Sequence, residues 1–503
     1  VVLFGKNKIS PAKIHNLSDG CKKKSIFVSK NNNERKNMNP KRFFLIALCS
    51  CGLSMVAVAK GNSLWRTSSD GWVLRKVPGD KNYHKYFAIG VWNIPGYTHE
   101  AMEDDTELYR RSAFPYLEQS ECYNMVYLPP GKGNVPRNRV EVVGSVGFYK
   151  ALLKCQSEVS GLTQGKDRDY AVRHYLQAHA GSPEFVKMLD ETVHKIITTG
   201  HGSDHIWAPI DEIVGGGAGN GWCWSPQVGN AIKKSILRQE PHALVFTDLV
   251  GISRGNSYLF ERRYLQTHRQ MPETPPYEAL GEGAKQLPER PLLGFVQAYD
   301  GSPVYVSGTT DYVEYDLPTL RRFFYENLKI CARDYRGCGD VFGINSFIDC
   351  NNYPVLAGVV VDGIKAGVGA KTPVWIFFDG NGYAQPSGQD AAAFVKNLKC
   401  QMYTSIIHGA TGVMFWNDRS LPPDVFKALE PVVKEITKQV PVFEGRTLLT
   451  HFEGDVHYMV KRIAGGKRVL IAANTSTSNS APLVFESHHL TLQPYEVQVV
   501  KLL

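Results

Sequence analysis

The sequence predicts a (β/α)8 barrel, a TIM-type α/β fold, followed by a small C-terminal all-β sandwich domain. Three observations carry this expectation. Apolar β-rich segments alternate with amphipathic helical ones over residues 60–440, eight such strands can be counted, and after Val440 only short strands remain. A chain of 503 residues exceeds what one core usually organises, so one large domain with a small companion fits the length.

The eight expected strands are 86–92 (YFAIGVW), 123–128 (YNMVYL), 170–177 (YAVRHYLQ), 205–211 (HIWAPID), 243–250 (ALVFTDLV), 340–347 (DVFGINSF), 373–379 (PVWIFFD) and 411–416 (TGVMFW). The third is ambiguous, because its residues also suit a helix. Helices are expected over 182–199, which opens on Ser-Pro, over 318–335, and over 390–409, where Gly409 supplies a stop. Residues 252–339 carry a long insertion with a hairpin turning at Asp300 and Gly301. In the expected 441–503 domain, Gly465 and Gly466 mark a second hairpin.

The front of the chain is different in kind. Residues 1–42 hold eleven Lys or Arg against Asp19 and Glu34, which accounts for the whole formal charge of +9. The rest is formally neutral, so a basic track for nucleic acid has no compositional support. From Met38 the pattern is that of a bacterial-type signal peptide, 38–59: two cations, an apolar run and an Ala57-Val58-Ala59 site. Export to the periplasm, the cell surface or the medium is therefore expected, with residues 1–37 an upstream extension outside the native protein. The apolar run is short for a membrane span, and Cys51 offers an alternative lipid-anchor site.

Seven cysteines follow the leader, an odd number with no pair at C-x-x-C spacing, which argues for buried thiols rather than a zinc site. His201, Asp204 and His205 have metal-like composition but precede the fourth strand, at the stability-bearing end of a barrel. The glycine run at 215–221 lacks the Lys-Ser/Thr of a phosphate loop, and no G-x-S-x-G elbow occurs. No cofactor and no metal are expected.

In a barrel of this kind, chemistry sits at the C-terminal ends of the strands. Those ends offer Trp92, Asn93, His179, Asp211, Glu212, Asp248, Asn345, Asp349, Asp379, Asn381 and Trp416. Trp207, Trp222 and Trp224 add aromatic surface. Acids, amides and tryptophans suit a sugar, whose C–H faces pack on aromatic rings while its hydroxyls need acceptors and donors. Cleaving a glycosidic bond takes one carboxylic acid to protonate the leaving oxygen and one carboxylate to attack or to activate water. Glu212 beside Asp211 supplies the first, because like-charge repulsion raises the proton affinity of one member.

At these segments the chain resembles the clan A glycoside hydrolases. In that clan the acid/base Glu ends strand four and the nucleophile ends strand seven, which implies those roles for Glu212 and Asp379. Residues 393–416 (AFVKNLKCQMYTSIIHGATGVMFW) resemble the last helix and strand of β-galactosidase-like members, which implies that Trp416 lies beneath the sugar. Asp211 stands where the clan usually has Asn, and Asp379 where it usually has Glu. The expectation is hydrolysis of an oligo- or polysaccharide, with a lean to retention. Trp92, His179, Asp211, Trp222, Trp224, Asp248, Asn345, Asn381 and Trp416 are then the substrate-binding candidates. The alternative is a non-catalytic glycan-binding protein on a decayed barrel.

Overall fold

The structure is a computed structural model that describes residues 64–77, 79–92, 122–128, 139–144, 148, 151–152, 179–199, 205–210, 213, 226–249, 294–297, 303–306, 317–345, 347–380, 386, 388–416 and 423–502. All of them belong to one compact unit, Ser63–Leu503.

The chain enters through a three-stranded antiparallel sheet, β1 (Trp65–Thr67), β2 (Val73–Arg75) and β3 (His84–Tyr86), in which Trp65 meets Tyr86 edge to face at 5.2 Å. This sheet was not foreseen, since its strands are three residues each and rich in charge. It leads into β4 (Ala88–Trp92), then β5 (Met125–Leu128), β6 (Val140–Val143), α1 (Pro183–Thr199), β7 (His205–Trp207), α2 (Pro226–Gln239) and β8 (Phe246–Leu249). The hairpin β9 (Gly294–Gln297) and β10 (Pro303–Val306) follows as expected, and then α3 (Leu317–Tyr335), β11 (Val341–Asn345), α4 (Phe347–Asn352), α5 (Leu356–Val368), β12 (Val374–Asp379), α6 (Ala391–Ile407), β13 (Gly412–Trp416) and α7 (Pro423–Phe443).

Eight strands form one parallel sheet in the order β7-β6-β5-β4-β13-β12-β11-β8. A parallel bridge from Trp207 to Val245, with the Trp207 N–H donating to the Leu244 carbonyl at 2.9 Å, joins the two edges and closes the barrel. Seven of the eight expected strands are in it. The third is not: that place belongs to β6, and residues 170–177 lie outside the described ones. Strands covered on both faces read as continuous apolar runs, and β12 is buried at all six positions.

Large aromatic rings fill the barrel interior. Phe246 stacks on Trp375 at 5.4 Å, Trp92 stacks on Tyr127 at 4.3 Å, and Phe377 meets Trp92 edge-on at 5.2 Å. Glycines on neighbouring strands make room for them: a Cβ at Gly412 would run into the Trp375 ring and Ala88, and one at Gly343 into Phe246. Gly412→Val is therefore expected to overpack this layer and lower the urea stability by about 1–3 kcal/mol. An unchanged unfolding midpoint would show that the Trp375 ring has room to yield.

After α7, which runs on to Phe443 and so moves the end of the helical part past the expected residue 440, the chain is all β. Strands β14 (Arg446–His451), β15 (Val456–Arg462), β16 (Arg468–Asn474) and β19 (Val497–Leu502) form an antiparallel sheet, and β17 (Ala481–Phe485) pairs with β18 (His488–Leu492). The two-residue period of β16 divides its side chains between two cores. Val469, Ile471 and Ala473 join the barrel core, while Leu470 and Ala472 pack with Leu483 and Leu492 of the β17–β18 hairpin. α6 is thereby sandwiched between barrel and sheet, which is why twelve of its seventeen residues are buried. Its start is fixed by Asp390, whose side chain accepts from the Ala393 N–H at 2.8 Å, and its end by Gly409 at φ +96°.

The junction also carries a polar chain whose two histidines are buried. Asp362 on α5 lies 2.8 Å from Nδ1 of His408, and Nε2 of His408 lies 2.9 Å from Nδ1 of His457 on β15. Phe452 stacks on the His408 ring at 3.9 Å. Burial, helped by the neighbouring His408, holds the His457 imidazole down at about 3.

Candidate active site

The barrel register sets the strand ends. Asp379 of β12, Trp416 of β13 and Trp92 of β4 are successive partners across three neighbouring strands, so they stand at one level at the C-terminal end of the barrel. On β12, Trp375 and Phe377 belong to the interior aromatic layer, and Asp379 continues the same two-residue repeat. On β8 the same alternation puts Asp248 two residues beyond Phe246. On β11, Asn345 is half-buried and pairs with Phe377, two residues below Asp379.

These residues differ in what they leave open. Trp416 is half-buried and keeps part of its surface accessible. Trp92 is only 6% exposed and spends its ring on Tyr127 and Phe377, so it forms the floor rather than a platform. Asp379 is fully buried and Asp248 nearly so. The Ile213 N–H donates to the Asp248 carbonyl at 3.0 Å, which ties the residue after Glu212 to the end of β8. Asp211, Glu212, Trp222, Trp224 and Asn381 lie outside the described residues.

Two expectations need correction. His179 does not end a strand, because the third strand is β6; it is exposed and helical just ahead of the turn that leads into α1, and its carbonyl accepts from the Ser182 N–H at 2.8 Å. Trp207 does not face a sugar. Its indole N–H donates to Glu240 at 2.7 Å and its ring meets Phe148, so it is part of the barrel wall under α2. His205 shares Glu240 at 2.9 Å.

A buried carboxylate needs donors, and Asp379 has one in Asn351 of α4, whose Nδ2 lies 3.2 Å from Oδ2. Behind Asn351 stand Asn397 and Gln401, one turn apart on α6 and both buried. These three amides were not singled out in the sequence. The signal was there in the segment 397–405, where Asn397, Gln401, Thr404 and Ser405 interrupt a helix otherwise rich in apolar residues. Five described cysteines, 122, 331, 338, 350 and 400, are buried. Burial pushes the thiols of Cys338 and Cys400 up to about 12, far from a reactive thiolate. Among the described residues, no cluster of three or more His, Cys, Asp or Glu has the geometry to hold a metal ion, and no helix is long and apolar enough to cross a membrane.

No family model matches the chain, and no curated protein does. Several solved structures are distantly similar. A glucosidase from Croceicoccus marinus is 10% identical, with 81% of this chain and 80% of that one covered and a TM-score of 0.33. A family 39 glycoside hydrolase from the gut symbiont Bacteroides cellulosilyticus WH2 is 8% identical, with 85% and 86% covered and a TM-score of 0.35. The debranching enzyme of Nostoc punctiforme is 10% identical, with 83% and 98% covered and a TM-score of 0.23. Likenesses this distant leave the chemistry to the side chains at the strand ends, and there the chain sets carboxylates beside tryptophan at the C-terminal mouth of a closed (β/α)8 barrel.

Proposed function

We propose that this protein is an exported glycoside hydrolase acting on an oligo- or polysaccharide. The observation that carries the proposal is the pairing of Asp379 with Trp416 at the barrel mouth, which sets an acid beside a half-buried tryptophan. A pyranose ring resting on Trp416 would bring its anomeric carbon towards the strand ends, with Asn345 and Asp248 in reach of hydroxyl groups. In this scheme Glu212 protonates the leaving glycosidic oxygen. Asp379 attacks the anomeric carbon, and water then releases the sugar with Glu212 as the base. A separation between the Glu212 and Asp379 carboxyls of about 5–5.5 Å goes with this retaining course, and one of roughly 6.5–9.5 Å with inversion.

The complete burial of Asp379 favours a second reading, glycan binding without cleavage, in which that carboxylate only braces the barrel rim. Screening the full chain on aryl glycosides and on plant, host and microbial polysaccharides separates the two. Release of reducing sugar from at least one substrate supports hydrolysis, whereas binding with no release on any of them supports the second reading. Export is tested apart from chemistry, by the mass of the native N-terminus. A start at Lys60 is expected, and a mature protein beginning before Met38 contradicts it.

A further inference from the structure

The amides behind Asp379 form a chain with a direction. Asn397 Nδ2 lies 2.7 Å from the backbone carbonyl of Asn351, and a carbonyl only accepts, so the NH2 end of Asn397 must point there. Its Oδ1 therefore faces Gln401, whose Nε2 donates to it at 3.0 Å. The second hydrogen of the same Nε2 goes to Asn351 Oδ1, also at 3.0 Å. With its oxygen held on that side, Asn351 has only Nδ2 to present to Asp379. One backbone carbonyl thus fixes the orientation of three side chains in turn.

Burying three amides and a carboxylate costs free energy that an apolar cluster of the same shape would not, and such a network is favourable only when all its members are satisfied. We propose that Asn351 and Gln401 are positioning residues for Asp379, holding an N–H rather than a C=O against its carboxylate and so keeping it ionised and aimed. The catalytic consequence rests on the glycoside hydrolase assignment; the geometry does not. The charged groups of α6 are turned elsewhere: Lys399 pairs with Glu435 at 2.6 Å, Lys396 is exposed, and Cys400 donates to the Asn474 carbonyl at 3.3 Å. From β11 and β13 the strand-end neighbours are Asn345 and Trp416, neither of them ionisable, and the Asp349 side chain of α4 lies outside the described residues.

The test uses Gln401→Met, which keeps volume and removes both donors, and Asn351→Leu, which removes the donor to Asp379. Each variant is compared with its own Asp379→Asn double by urea unfolding across pH, a difference that reads the ionisation of Asp379 whether or not a substrate is turned over. In both variants the midpoint of that difference is expected to move up by about half a pH unit or more. The kcat is expected to fall about tenfold with KM little changed, and the acid limb of the kcat profile to rise in parallel. A midpoint that stays in place in both variants overturns the inference, as does an unmoved acid limb in an enzyme that Asp379→Asn inactivates. If instead Asp379→Asn remains fully active, Asp379 is not the second carboxylate, and if the full chain releases no sugar from any substrate the glycosidase assignment fails; in either case the urea midpoint alone decides the role of the amides. Should one variant not fold, the other carries the same readouts.

Discussion

Glu212→Gln is expected to lower turnover of natural glycosides by about a thousandfold or more while leaving the melting temperature nearly unchanged. The amide keeps the shape of the side chain and removes only the transferable proton. Its effect should depend on the leaving group. A sugar alcohol leaves as a poor, strongly basic oxyanion and needs protonation, whereas a dinitrophenolate leaves unaided. The bond-cleaving step on dinitrophenyl glycosides should therefore be slowed far less than on the corresponding disaccharide. Equal losses on both substrates would mean that Glu212 does something other than protonate the leaving oxygen.

The second large effect is on stability in acid. His457 is wholly buried and its imidazole is held at about 3, against an ordinary value of 6.5. Because the folded value lies below the unfolded one, the fold keeps His457 neutral while the unfolded chain takes up a proton below pH 6.5. The contribution is therefore fully present above that pH and is lost as pH falls from 6.5 towards 3, at up to about 1.4 kcal/mol per pH unit. Between pH 7 and 4.5 the loss should be on the order of 2–3 kcal/mol. His457→Gln should be less stable at pH 7, having broken the Asp362–His408–His457 chain, and should show a shallower decline into acid. Parallel declines in the two proteins would show that His457 is not the group that titrates.

Much of the barrel was legible in the sequence because its strands are long apolar runs closed by recognisable stops. β12 and β13 each end on the residue, Asp379 and Trp416, that the sequence marked as the strand end. β6 escaped notice for a physical reason: it is four residues long, with Glu141 in its middle, between Pro136 and Gly144. Residues 170–177 offered a longer run that suits a strand or a helix, and no periodicity tells which of two such runs finds hydrogen-bonding neighbours. Gly144 records the true neighbour, since a Cβ there would collide with Tyr127 of β5. His179 was misplaced as a direct result of that choice.

The amide cluster was hidden for a different reason. Asn and Gln on a helix belong by default to its solvent face, and it is the packing of α6 against α4 and the barrel that takes these amides out of water. Trp207 shows the converse. A tryptophan at a strand end looked like a sugar platform, yet the parity of β7 turns it outward to Glu240. Strand-end chemistry can be read from a sequence only as far as the phase of each strand is known, and on β12 that phase was carried by Trp375 and Phe377.

The most direct measurement of the central claim is the rate at which Asp379→Asn hydrolyses whichever glycoside the full chain cleaves best. If strand seven supplies the second carboxylate, kcat falls by roughly a thousandfold or more, with the fold intact by circular dichroism and urea unfolding. Hydrolysis by Asp379→Asn at close to the wild-type rate on every substrate cleaved would contradict the account and make Asp248, buried at the end of β8, the carboxylate to test.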